Sequence, residues 1–116
     1  MVNMNFEEYQ KSALKTAGGF PEEERKFWTM ITTLGLAGEA GEVADYIKKV
    51  FGHGHTLDAE KLKKELGDVL WYVSDICSKF GFSLDEVAKL NVEKLKARYP
   101  NGFSQAMSQN RKEGDI

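Results

Sequence analysis

The sequence predicts an all-α protein, most simply a four-helix-type bundle. Apolar residues recur at intervals of three and four, the spacing of one helix face, and no segment alternates between apolar and polar residues as a half-buried strand does. Glycines and the two prolines stand between the periodic segments. A length of 116 residues suits one domain, which we predict over residues 1–104, followed by a polar, frayed tail over 105–116.

The turn residues place the helices. Pro21 and the three acids after it favour a helix start, because negative charge stabilises a helix N-terminus. Thr56 or Asp58 can cap the next helix, and Ser83 with Glu86 has the spacing of a capping box. The predicted helices therefore cover about 5–17, 23–50, 58–80 and 84–98.

Composition excludes several classes of protein. The 16 basic and 18 acidic residues give a net charge of −2, which is not the basic footprint of a protein that binds nucleic acid polymers. No apolar run approaches the roughly 20 residues needed to cross a membrane, and the N-terminus lacks a secretory signal. The single cysteine, Cys77, excludes an intramolecular disulfide and fits a buried, unreactive thiol. These observations predict a cytoplasmic protein.

Two pairs of acids give the strongest indication of function. Glu39 and Glu42 lie on one face of the second helix, and Glu65 and Asp68 repeat that spacing on the third. A short loop joins these helices, so antiparallel packing would bring four carboxylates together, where they would repel unless a cation lay between them. Such hard oxygen ligands select Mg²⁺ or Mn²⁺. Glycines beside the acids allow close packing or leave space for a ligand; they are Gly35, Gly38, Gly41 and Gly67.

Two other interpretations of the acids are weaker. Each pair alone could be an ordinary solvated group, but both pairs together, among small residues, favour a site. A di-iron bundle would need Glu-x-x-His pairs on two helices. The two histidines, His53 and His55, instead flank a glycine after the second helix, where they fit a turn better than a metal site.

The fourth helix carries a polar face of Asn91, Lys94 and Arg98. Amide, ammonium and guanidinium groups beside a metal would suit a polyphosphate, whose remaining charge they neutralise. Taken alone, the same residues also fit a solvated helix face.

Three segments resemble the MazG-like nucleotide pyrophosphohydrolases, of the all-α NTP pyrophosphatase superfamily. They are GEAGEVAD, KELGDVLWYVSD and NVEKLKARYPNGFS, and the similarity extends over about residues 6–104. The resemblance implies that Mg²⁺, or Mn²⁺ in its place, binds Glu39, Glu42, Glu65 and Asp68. It implies cleavage of a nucleoside triphosphate between its α- and β-phosphates, with Glu39 or Glu42 orienting or deprotonating the attacking water.

The resemblance also implies that Asn91, Lys94 and Arg98 contact phosphate or sugar and that the chain forms a homodimer or homotetramer. Asp45 could join the metal ligands, although a surface role fits it better, and Lys49 could contact phosphate. The candidates for base recognition are Tyr9, Gln10, Phe27, Trp28 and Trp71, each of which also fits a core or interface role. Alternatives are a dUTPase-like or phosphoribosyl-ATP-specific member of the superfamily and a non-catalytic oligomerisation or regulatory module.

Overall fold

The computed structural model describes residues 3–116 and confirms the all-α class. Within those residues there are five α-helices and no strand, only an isolated backbone bridge between Pro100 and Gly102. The helices are α1 (Phe6–Leu14), α2 (Arg25–His53), α3 (Ala59–Lys79), α4 (Leu84–Arg98) and α5 (Gln105–Gln109). None of the helices in this described part is both long and apolar enough to cross a membrane.

Polar caps and turn residues set the helix ends. The Asp58 side chain accepts hydrogen bonds from the backbone of Glu60 and Lys61, which confirms it as the cap of α3. Gly54 ends α2 in the left-handed conformation, with φ of 72°, which glycine adopts without the strain of a side chain. The acids after Pro21 form a short 3₁₀ turn, so α2 itself begins only at Arg25.

The chain divides into two compact units. The first ends at Leu84 and contains α1, α2 and α3, in which α3 packs against both of the other helices. The second, Asp85–Ile116, contains nearly all of α4 and the whole of α5. A bundle of four helices completed by oligomerisation therefore stays a prediction, as do the domain limits at 104 and 105.

The polar tail is more ordered than we expected. It contains α5, whose first turn is capped by the Ser104 hydroxyl at 3.0 Å from the Met107 nitrogen. Further on, the Asp115 carboxylate accepts two hydrogen bonds from Arg98, at 2.7 and 2.9 Å. The expectation of a frayed tail was wrong because these polar residues bond to α4 and to their own backbone.

α2 and α3 lie antiparallel in one continuous register. Each step of three or four residues along α2 is matched by the same step backward along α3, so the two residue numbers of every facing pair have the same sum. The pairs are Thr32–Asp75, Gly35–Tyr72, Glu39–Asp68, Glu42–Glu65 and Tyr46–Lys61. This register carries all four acids to the middle of the α2–α3 interface.

Candidate metal centre

Three of the four predicted acids converge between α2 and α3. Glu39, Glu42 and Glu65 each offer a carboxylate oxygen, and these oxygens lie within 4.8 Å of one another. Glu39 and Glu65 are half-buried, whereas Glu42 is exposed at the edge of the cluster. Oxygens at this spacing need little movement to share one cation.

Two oxygens of the cluster are buried without a partner. Oε2 of Glu39 and Oε2 of Glu65 make no hydrogen bond to any described residue. A buried, unsatisfied carboxylate oxygen is costly, and a bound divalent cation removes that cost by direct coordination. The residues present therefore fit a hard cation, and the set of oxygen donors suits Mg²⁺ or Mn²⁺.

Asp68 lies beside this cluster rather than within it. It lines a cavity of about 320 Å³ together with Glu39, Thr16, Trp71 and Tyr72. Burial raises the pKa of Glu39, and the negative charges of Glu42, Asp68 and Glu65 raise it further. The charge of Asp68 thus acts on Glu39, although Asp68 is outside the group that meets at ligand spacing.

We expect Glu39→Gln to raise the melting temperature of the metal-free protein at neutral pH. Because the pKa of Glu39 is raised on folding, its ionised form destabilises the fold, and this effect grows as pH rises through the raised pKa. Glutamine carries no charge and can donate a hydrogen bond to Glu42. The increase in melting temperature that Mg²⁺ gives the wild type should be lost in this variant, as thermal unfolding with and without Mg²⁺ would show.

Asp45→Asn is the matched control, because Asp45 lies on the same helix in the opposite electrostatic setting. Lys48 and Lys49 bond its carboxylate at 2.9 and 3.0 Å and lower its pKa to about 2. Neutralising Asp45 should therefore not raise the melting temperature. An equal rise in melting temperature in both variants would mean that the protein gains stability from a lower overall negative charge, and not from relief of repulsion within the acid cluster. These ion pairs also support the surface role expected for Asp45.

A second cavity, of about 420 Å³, lies beside Glu42 and Glu65. Glu42 and Glu65 line it with Asp45, Lys49 and three residues that sequence analysis did not select: Tyr46, His55 and Lys61. A turn role was favoured over a metal-binding role for His55, and its backbone nitrogen does bond to the Lys49 carbonyl at 3.0 Å. Its place beside Glu42 and Glu65 depends on the reversal of the chain after α2, which spacing alone does not reveal.

The glycines divide between the two roles suggested by the sequence. A side chain at Gly35 would overlap the ring of Tyr72, so α2 and α3 approach closely there. Beyond the neighbouring backbone of the same helix, no atom lies within 4 Å of the position that a Cβ would take at Gly38, Gly41 or Gly67. Tyr72 itself was not predicted, but it lies one helical turn after Asp68 and could have been placed on the same face.

The cationic residues of α4 lie within the second unit. Lys94 and Arg98 line a cavity of about 310 Å³ with Arg111, Lys112 and Asp115, and Asn91 is exposed on the same helix. The side chain of Arg98 is only 9% exposed, because Asp115 and the Ile116 carbonyl bond its guanidinium group. Asp115 thus occupies the guanidinium edge that a phosphate would need.

The aromatic candidates for base recognition have different surroundings. The Trp71 indole nitrogen donates to the Thr16 hydroxyl at 2.8 Å, beside the cavity of Glu39. Gln10 bonds to the backbone around Phe82 and Leu84, which indicates a structural role. Phe27 and Trp28 contact each other edge to face on α2 and are exposed, and Tyr9 is half-buried on α1.

Comparison with known proteins identifies the class to which this site belongs. Residues 29–103 match the MazG nucleotide pyrophosphohydrolase domain. The chain is 36% identical over 83 residues to the gene 37 protein of Mycobacterium phage L5, a match that covers 68% of this chain and 73% of the phage protein. No solved structure matches the chain. The chain therefore belongs to the MazG nucleotide pyrophosphohydrolase family.

Proposed function

We propose that the protein is a Mg²⁺-dependent nucleoside triphosphate pyrophosphohydrolase, in which Mn²⁺ can substitute. The substrate is an NTP or dNTP, which reacts with water to give a nucleoside monophosphate and pyrophosphate. The observation that carries the proposal is the pair of buried, unpartnered oxygens of Glu39 and Glu65 beside the carboxylate of Glu42. Removal of unwanted nucleotides from the cytoplasmic pool is the role that this reaction fits.

The proposed ligands of Mg²⁺ are Glu39, Glu42, Glu65 and Asp68. When bound, the ion would neutralise phosphate charge and lower the pKa of a water molecule. Glu39 or Glu42 would orient that water and accept its proton. Asn91, Lys94 and Arg98 would contact the phosphates or the sugar, which requires Asp115 to leave Arg98.

A panel of NTPs and dNTPs, each incubated with the purified protein with and without Mg²⁺, tests this proposal. We expect release of pyrophosphate from at least one nucleotide, and only when Mg²⁺ is present. Release of inorganic phosphate in place of pyrophosphate would contradict cleavage between the α- and β-phosphates. Absence of turnover across the panel would favour the non-catalytic oligomerisation or regulatory module. Relative rates would also report base and sugar preference, including a dUTPase-like specificity.

The proposal includes assembly into a homodimer or homotetramer. The first half of α2 exposes a stripe of large apolar residues at helical spacing, with Leu34 68% exposed; the stripe comprises Phe27, Met30, Ile31 and Leu34. A stripe of this kind is unfavourable in water and marks a surface that another chain covers.

Light scattering after size exclusion should therefore give a mass of two or four chains. We expect Leu34→Glu to shift that mass toward one chain, and a single-chain mass for the wild type would contradict this part of the proposal.

A further inference from the structure

A buried polar network joins α2 to α3 two helical turns away from the acids. The Thr32 hydroxyl on α2 donates to Oδ2 of Asp75 on α3 at 2.8 Å, and Lys79 pairs with the same oxygen from one turn further along α3. The side chains of Asp75 and Lys79 are only 4% and 7% exposed. Arg25, at the start of α2, also donates to the backbone carbonyl of Lys79.

This network is a poor source of stability in itself. Removing two charges from water costs about as much as their attraction returns, or more, and apolar residues of similar size often stabilise a fold better. The best attested use of a buried polar group between helices is to specify how the helices are aligned. Such a device is useful here because two of the five facing pairs, Glu39–Asp68 and Glu42–Glu65, consist of acids that repel each other and so do not favour the alignment in the metal-free protein.

The network lies at one end of the helix pair, and a second polar contact lies at the other. Near the loop, the backbone nitrogen of Asp58 donates to the Tyr46 hydroxyl at 2.8 Å, and the Lys61 ammonium lies 4.7 Å from the centre of the Tyr46 ring. The four acids lie between these two contacts. Their mutual repulsion acts to separate α2 from α3, and the contacts at both ends oppose that separation.

We propose that the Thr32–Asp75 hydrogen bond is a positioning contact that holds α2 against α3 so that the acids stay at ligand spacing before a metal binds. The inference rests on the proposed function, since it concerns how that metal site is formed. Thr32 and Asp75 are not metal ligands; each lies seven residues from an acid, Glu39 or Asp68, on its own helix. Carboxylate side chains that are already held in place bind a metal ion with a smaller loss of conformational entropy.

Thr32→Val tests the contact, because valine has nearly the same shape and leaves the Asp75–Lys79 pair intact. We expect Mn²⁺ affinity, measured from the electron paramagnetic resonance of free Mn²⁺, to fall about fivefold to tenfold, as for loss of a hydrogen bond of ordinary net strength. Thr33→Val is the matched control: the Thr33 hydroxyl bonds only to its own helix, at 2.8 Å from the Thr29 carbonyl. This control should keep wild-type affinity. Thr32→Ser, which retains the hydroxyl, should stay close to the wild type, and equal affinities in Thr32→Val and Thr33→Val would overturn the proposal.

A distance measurement separates failure of this inference from failure of the metal site. Spin labels at Ala44→Cys and Lys64→Cys, two exposed positions on α2 and α3, would be introduced with Cys77→Ala into the wild type, Thr32→Val and Thr33→Val. In the metal-free protein, only Thr32→Val should show added longer distances, which Mg²⁺ should remove. Longer distances that Mg²⁺ does not remove would support the positioning contact and count against the metal site.

An unchanged distance distribution in Thr32→Val would overturn the positioning contact, whether or not the wild type binds Mn²⁺. Thr32→Ala removes the same hydrogen bond and replaces Thr32→Val should that variant not fold. A purely structural role for Thr32 would lower the melting temperature while leaving both Mn²⁺ affinity and the label distances at their wild-type values.

Discussion

Glu42→Gln should reduce pyrophosphate release about a thousandfold, since a catalytic metal supplies several kcal/mol of transition-state stabilisation and each 1.36 kcal/mol is worth a factor of ten. Glutamine keeps the size of the side chain but removes the charge that would hold the proposed cation beside Glu39 and Glu65. Because Glu42 is exposed, the fold should tolerate the change, and the melting temperature of the metal-free protein should not fall. The rate would be measured by pyrophosphate release on the best nucleotide of the panel.

Asp45→Asn is the control for this loss of activity as well. It removes one negative charge from the same helix, one turn after Glu42, at a carboxylate that pairs with Lys48 and Lys49. We expect a change of less than about tenfold, since the pair is exposed and screened. A thousandfold loss in both variants would place Asp45 among the ligands. Unchanged activity in Glu42→Gln would remove Glu42 from the proposed metal site.

The sequence was sufficient to predict the convergence of the acids because two simple geometric rules favour it. Residues three apart share a helix face, and a short loop between long helices makes them antiparallel neighbours. Together these rules place both pairs of acids on facing helices, and convergence then needs only the register in which the two pairs come level, which the structure shows for Glu39, Glu42 and Glu65. Which three of the four carboxylates meet at ligand spacing depends on the conformations of their side chains. The separation of the acids along the sequence does not determine those conformations.

Contacts between distant segments could not be predicted in the same way. The hydrogen bonds that Arg98 donates to Asp115 join residues on either side of a turn and a short helix, and nothing in the composition of the tail distinguishes Asp115 from Glu113. The Thr32–Asp75 bond depends on the register of α2 against α3. Antiparallel packing alone leaves several registers open, each one helical turn from the next.

Gly35→Ala should lower the melting temperature of the protein by up to roughly 8 °C, the shift that a net loss of about 2 kcal/mol gives a chain of this size. A methyl group at this position overlaps the Tyr72 ring of α3, which packs against α2 here. Overpacking of this kind costs about 1–3 kcal/mol, only partly offset by the roughly 1 kcal/mol gained when alanine replaces glycine in a helix. The displaced ring lines the cavity of Glu39 and Asp68, so Mg²⁺ should also protect the variant less than the wild type.

Gly38→Ala, one turn further along α2, should have the opposite sign. Beyond the neighbouring backbone of the same helix, nothing lies within 4 Å of the position of its added methyl group, so only the helix preference of alanine remains, about 0.5–1 kcal/mol in favour of the fold. The double variant Gly35→Ala with Tyr72→Ala should be no less stable than Tyr72→Ala alone, because the overlap needs both side chains. If Gly35→Ala were as stable as Gly38→Ala, the two helices would not approach closely at Tyr72. The register that brings the four acids together would then lack its most direct steric support.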